Sequence, residues 1–248
     1  MNRKPFQGVL NIIRFNWHFY VISVVLLVLL IFVQRFLPQS IAIVVSIAAT
    51  LAAISIFVSL VVSYYVYDAS DFYSLDWINK LNIPATGNIV NINAGFDETS
   101  ELLKNRFPDS NLQVFDFYDP AKHTEISIER ARKAYPPFNG TVTIETNNVL
   151  LKRSSVDVIF LILAVHEIRN NDERTEFFKQ LASALSDNGR IVIVEHQRDI
   201  ANFLAFNIGF FHFHSHKTWL GNFKEAGLST VDTIKHTPFL NIFNLKRK

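Results

Sequence analysis

The chain has 248 residues, 49% hydrophobic and 19% charged, with a mean hydropathy of +0.18, high for an ordinary soluble domain. A net charge of +2 leaves no basic surplus to draw nucleic acid, and the composition excludes disordered and collagen-like chains. The lack of cysteine excludes disulfide frameworks, thiolate zinc sites and cysteine nucleophiles.

Near the N-terminus, Phe6, Val9, Leu10, Ile13 and Arg14 recur at near-helical spacing. They suit either an amphipathic helix lying in a membrane interface or a simple lead-in to the first apolar run. Residues 17–34 and 41–67 then form two runs without Asp, Glu, Lys or Arg and without a polar face. At about 1.5 Å per residue both are long enough to cross a hydrocarbon core, so 1–67 is read as a membrane anchor of two transmembrane helices. A signal peptide fits poorly, because only residues 35–40 separate the runs and no small-residue cleavage site intervenes. Arg3, Lys4 and Arg14 precede the first span while the loop holds only Arg35, which places the N-terminus, and after two crossings the rest of the chain, in the cytoplasm of a bacterial inner membrane. Residues 68–86 read as an amphipathic connector, with Asp68, Asp71 and Asp76 among Phe72, Tyr73, Leu75 and Trp77, expected at the membrane surface.

Residues 87–248 alternate strands and helices. Strands are predicted after Gly87, at 111–117, 141–146, 156–165 and 190–196, with helices at 97–107, 122–134 and 172–186, the last stopped by Asn188-Gly189. Unbroken apolar strands between helices indicate a parallel α/β sheet, closed by a helix near 219–228 and an antiparallel hairpin. In such sheets ligands lie beyond the carboxyl ends of the strands, so those ends hold the candidates. They are the turn Asn91–Glu98 with Gly95 at its centre, Asp116 with Asp119 nearby, His166-Glu167, and Glu195-His196. Asp116 lies 21 positions after Gly95, the separation at which an acid accepts ribose hydroxyls.

This order resembles that of class I S-adenosylmethionine-dependent methyltransferases: a glycine turn after the first strand, an acid after the second, SSVDVIFLILAVHEI at the fourth, LSDNGRIVIVEH at the fifth, and Ala226–Leu228 before a terminal hairpin. The segment from Glu195 to Trp219 is also similar to a membrane-anchored bacterial subgroup. The resemblance implies a Rossmann-like, mostly parallel seven-stranded sheet that binds S-adenosylmethionine. Asn91, Asn93, Gly95 and Asp97 stand where the family has an acid and three glycines, so Asp97 or Glu98 inherits the pairing with the cofactor's ammonium. Asp116 and Phe117 are expected at the ribose, and Asn147 at the adenine amine. His166, Glu167 and His196 are the candidate proton acceptors.

Arg198, Asn202, Phe206, Phe210 and His212 fall on the acceptor side. The phenylalanines there, with Phe203, Phe211 and Phe213, suit core packing, an apolar acceptor pocket or bilayer contact equally well. His212, His214 and His216 alternate, which on a strand would put three imidazoles on one face, but with no second ligand cluster in view no metal is assigned. The expected activity is methyl transfer to a hydrophobic acceptor such as a quinone, isoprenoid, lipid or aromatic pigment. The rivals are a catalytically lapsed scaffold, a nicotinamide-dependent oxidoreductase, which would want a richer glycine fingerprint, and an enzyme whose anchor recruits a partner. Oligomeric state is not legible.

Overall fold

The computed structural model describes residues 3–123 and 125–248. Helix α1 (Gln7–Phe15) leads into α2 (Trp17–Val33), and Pro38 opens the antiparallel α3 (Gln39–Tyr64). No residue of α2 is buried, and only Ala49 and Ser63 of α3 are, so the hairpin has almost no protein cover. The second apolar run does not stay helical to residue 67. It leaves α3 as a wide turn at Tyr65–Ala69 in which Val66 is fully buried, so its last residues belong to the interface with the domain.

The domain is a seven-stranded sheet of order β3-β2-β1-β4-β5-β7-β6. β1 (Asn88–Asn93), β2 (Asn111–Asp116), β3 (Val142–Thr143), β4 (Val156–Ile162) and β5 (Leu185–His196) are parallel, and β7 (Leu240–Arg247) runs antiparallel between β5 and β6 (Leu228–Lys235). Between them lie α4 (Ser100–Arg106), α5 (Ile126–Ala134), α6 (Asn171–Ala184), α7 (Ile200–Phe206) and α8 (His216–Glu225).

The centres of β4 and β5, residues 158–162 and 191–194, are apolar at every position because both faces are covered. Ile159, Leu161, Ile191 and Ile193 face Phe177, Phe178, Trp219 and Phe223 of α6 and α8. The alternate residues Val158, Phe160, Val192 and Val194 face a second cluster that contains Phe72, Leu75, Trp77 and Ile78. The 68–86 connector, expected at the membrane surface, therefore seals the opposite face of the sheet. These four residues of it are each 4% exposed or less, and burying each such side chain is worth about 1.5–3 kcal/mol.

Two predicted boundaries move. The 141–146 strand shrinks to Val142–Thr143 at the exposed sheet edge. The Asn188-Gly189 turn is absorbed into β5, where a Cβ on Gly189 would lie 2.9 Å from the Val156 carbonyl; the glycine lets two strands approach at a register shift.

Helix α1 is held against the domain. The Asp68 carboxylate accepts from the Gly8 and Val9 amides at 2.7 and 2.8 Å, capping the helix. A Cβ on Gly8 would lie 2.4 Å from that of Tyr67, so only glycine fits this crossing. Arg3 pairs with Glu98 at 2.8 Å, and the Tyr135 hydroxyl donates to Asn11 at 3.0 Å.

Candidate functional site

The carboxyl ends of β1 and β2 open onto a cavity of about 40 Å³ lined by Asn93, Gly95, Asp97, Asp116, Arg132 and Tyr135. Beside it, sharing Asp97 and Tyr135, a groove of about 450 Å³ runs between α1, α4 and the segment after α5, within the usual size range of ligand clefts. Gly95 has φ +94°, and a Cβ there would lie 2.8 Å from the Tyr118 ring, which explains why this one glycine is present.

Around the first turn the polar groups divide between structure and cavity. Asn91 is buried beneath the turn, donating to Thr99 and Ser100 at 3.1 and 2.8 Å, so it braces the start of α4 rather than lining the cavity. Asn93 accepts from the Gly95 amide at 3.2 Å and leaves its own amide nitrogen buried without a partner. One oxygen of Asp97 caps α4 through Thr99 and Ser100, and the other is buried and unpaired. Buried polar atoms without partners are costly, so the two at this cavity are open to a ligand's polar groups.

Asp116 ends β2 as expected, its Oδ1 accepting from the Tyr118 amide at 2.9 Å. Its Oδ2, however, is taken by Arg132 of α5, a residue that sequence reasoning does not single out. Arg132 also donates to the Gly95 carbonyl at 3.3 Å and lies 4.4 Å over the Tyr118 ring, so it bridges the two strand ends and narrows the cavity. Phe117 belongs to the core, packed on Phe177, and Asn147 is exposed in the turn after β3; neither lines the cavity.

A second constellation forms beyond β4 and β5. The Glu195 carboxylate, fully buried, accepts from the Val165 and His166 amides at 2.8 and 3.2 Å and from His166 Nδ1 at 2.7 Å. Three donors fix Glu195 as the acceptor and leave His166 Nε2 facing Glu167 at 3.3 Å. His212, in the short helical turn after α7, brings its Nε2 to 3.4 Å from the same Glu167 oxygen while its Nδ1 meets Glu125 at 3.0 Å. Burial would lower the His166 pKa, but Glu195 and Glu167 outweigh it and hold the ring well above its ordinary value; the same contest raises His212.

His196 does not join this group. It leaves β5 on the opposite side from Glu195, accepting from the Tyr67 hydroxyl at 2.8 Å and offering Nδ1–H to Asn202 and the Phe239 carbonyl at 3.0 Å. Burial pushes its pKa down to about 4, so the neutral ring is a structural joint between the segment after α3 and the sheet. Asn202 is likewise fully buried in that joint. Arg198 binds the Phe211 carbonyl at 2.7 Å, and Phe206 packs on His196, Phe213 and Phe239 while Phe210 packs on Phe203 and Phe211. The three alternating histidines diverge: His214 is buried against Arg174 and Trp219, and His216 opens α8.

No protein-family profile and no curated protein matches the sequence. Among solved structures, the fold is similar to a S-adenosylmethionine-dependent methyltransferase from Clostridium acetobutylicum, at 12% identity over 72% of this chain and 90% of that one, with a TM-score of 0.50. It is similar also to a methyltransferase from Aquifex aeolicus, at 13% identity over 72% and 93%, TM-score 0.50. A third likeness is to an O-methyltransferase of neocarzinostatin biosynthesis in complex with S-adenosyl-L-homocysteine and 1,4-dihydroxy-2-naphthoic acid, at 15% identity over 77% of this chain and 57% of that one, TM-score 0.50. At such identities the likeness is one of architecture: the chain carries the seven-stranded Rossmann-like fold seen in S-adenosylmethionine-dependent methyltransferases.

Proposed function

We propose that this chain is a S-adenosylmethionine-dependent methyltransferase anchored in a bacterial inner membrane, of the membrane-anchored subgroup its fifth-strand region resembles. Its domain faces the cytoplasm and its acceptor is hydrophobic or lipid-like. The observation that carries the reading is the polar cavity at the ends of β1 and β2, where Asn93 Nδ2 and Asp97 Oδ2 lack partners on this strand order. The residues fit the cofactor: Asp97 would meet the ammonium of its methionine part, and Asp116 the ribose hydroxyls once Arg132 turns away. The cofactor supplies an electrophilic methyl group on sulfonium. The protein aligns the acceptor and excludes water, and the His166 cluster governs the loss of the acceptor's proton.

Membrane placement is supported by the uncovered hairpin and by aromatic residues at its domain end, with Trp17 and Tyr20 at the start of α2 and Tyr64 and Tyr65 at the end of α3. Beside that end, α7 and the turn after it expose Ile200, Leu204, Ile208 and Phe211, an apolar ridge suited to the same bilayer. The chain is expected to stay in the membrane pellet after alkaline carbonate extraction and to leave it only in detergent. Release by carbonate alone would remove the anchor.

Titration of the detergent-solubilised chain with S-adenosylhomocysteine tests the cofactor. Asp116→Ala should weaken binding at least tenfold by deleting a charged hydrogen-bond acceptor, whereas Arg132→Ala should tighten it by freeing that acceptor. The Arg132 bridge also favours a second reading, a lapsed fold serving as a membrane scaffold. That reading prevails if neither the parent chain nor Arg132→Ala binds at millimolar ligand.

A further inference from the structure

Three potential ligand atoms converge beyond β4 and β5, and their partners are already committed elsewhere. His166 Nδ1 is bound to Glu195, and His212 Nδ1 lies 3.0 Å from Glu125, so each ring turns its Nε2 inward. Both Nε2 atoms face the same oxygen of Glu167, at 3.3 and 3.4 Å. All three ligand atoms lie within 4.8 Å of one another.

The spacings exceed those of charge-assisted hydrogen bonds, which run about 2.7–2.9 Å. The two measured from Glu167 match the edge of a tetrahedron whose centre lies about 2.0–2.1 Å from each corner, which is the bond length of zinc to imidazole nitrogen and carboxylate oxygen. The carboxylates behind the two rings reproduce the outer shell of zinc-binding histidines, where a carboxylate fixes the tautomer and raises the basicity of the ligating nitrogen. Glu195 is fully buried and held by two backbone amides, so this support is built into the strand end.

We infer that His166, Glu167 and His212 form a site for a divalent transition-metal cation, zinc by preference, with Glu195 and Glu125 as its outer carboxylates. Two neutral imidazoles and one carboxylate select such a cation over magnesium, which demands a set of oxygen ligands. Three protein ligands are the number that zinc keeps where a substrate or water takes the fourth place. Metal binding stands independently of the proposed methyl transfer. Only the role of the metal rests on that reading: a hydroxylated acceptor would bind through oxygen and lose its proton to solvent, forming a metal–oxygen bond as the O–H bond breaks.

The test uses the full chain in detergent, stripped with chelator, dialysed and titrated with zinc chloride, with bound metal counted by elemental analysis. One equivalent of zinc is expected, with magnesium chloride giving none. His212→Ala and Glu167→Gln should each weaken zinc binding at least 100-fold, Glu195→Gln about 10- to 100-fold, and His236→Ala, remote from the cluster, not at all. Circular dichroism and S-adenosylhomocysteine binding establish that the variants are folded. Zinc uptake that is absent, or equal in the parent and the cluster variants, overturns the site. A chain that binds zinc but no S-adenosylhomocysteine retains the site and loses the methyltransferase reading, and the converse result does the opposite.

Discussion

Replacing His166 by alanine is expected to lower turnover by about two to four orders of magnitude, the usual contribution of a positioned group that governs a proton in the transition state. It should leave S-adenosylhomocysteine affinity within about twofold. The first effect follows because the substitution deletes the Nε2 on which deprotonation of the acceptor depends, at the point where Glu195 and Glu167 aim the ring. The second follows because the cavity at Asn93, Asp97 and Asp116 is lined by other elements. Single-turnover methyl transfer to a hydroxylated lipid-like acceptor, measured beside calorimetric binding, separates the two. Full turnover in His166→Ala would remove the cluster from the reaction.

The second large effect is on stability. Arg174 of α6 is 1% exposed and has no carboxylate partner among the described residues. It donates instead to the Ile168 carbonyl at 2.6 Å, to Asn222 at 2.8 Å and to Asn171 at 3.0 Å, and lies 5.6 Å over the Trp219 ring. Burial brings its pKa down only to about 10, so it stays charged and its bonds stay strong. Arg174→Met keeps much of the volume and leaves three buried acceptors, the Ile168 carbonyl, Asn222 Oδ1 and His214 Nε2, without that donor, a loss of about 3 kcal/mol. The melting midpoint in detergent should fall by about 6–12 °C. Lys179→Met, at an exposed pair on the same helix, should change it by no more than about 1–2 °C. Equal midpoints for the two variants would refute the account. Because the Ile168 carbonyl follows the turn that carries His166 and Glu167, this substitution should also loosen the cluster.

What the sequence revealed and what it hid have physical reasons. β4 and β5 were legible because strands covered on both faces carry apolar residues without interruption. Asp116 was legible because its distance from Gly95 is set by one strand–helix–strand unit. Arg132 was not: nothing about an arginine on a solvated helix says that it will turn inward onto an acid 16 positions away. The packing of the 68–86 segment was hidden because its alternation of acids and aromatics suits a bilayer surface as well as a sheet face, and only the sheet's open side shows that its apolar residues pack there. The histidine alternation suggested three imidazoles side by side. The backbone passes there from a tight helical turn to an extended residue and into α8, which scatters the rings and delivers His212 alone to a partner 45 positions earlier in the chain.

The grip on α1 has a consequence for how such an enzyme would search. Asp68 caps α1 from the far end of the hairpin, and the Gly8–Tyr67 crossing admits no side chain between them. Arg130 clasps the Phe15 carbonyl and His18 at the entrance to α2. Both ends of the hairpin are thus bolted to the domain, which under the proposed membrane placement makes it a mount and not a leash. A domain on a leash samples all orientations and meets a membrane-borne molecule only in the small fraction that point its cleft at the bilayer. A mounted one holds its cleft at a constant height and heading, so that diffusion of the acceptor in two dimensions is the only motion the encounter requires.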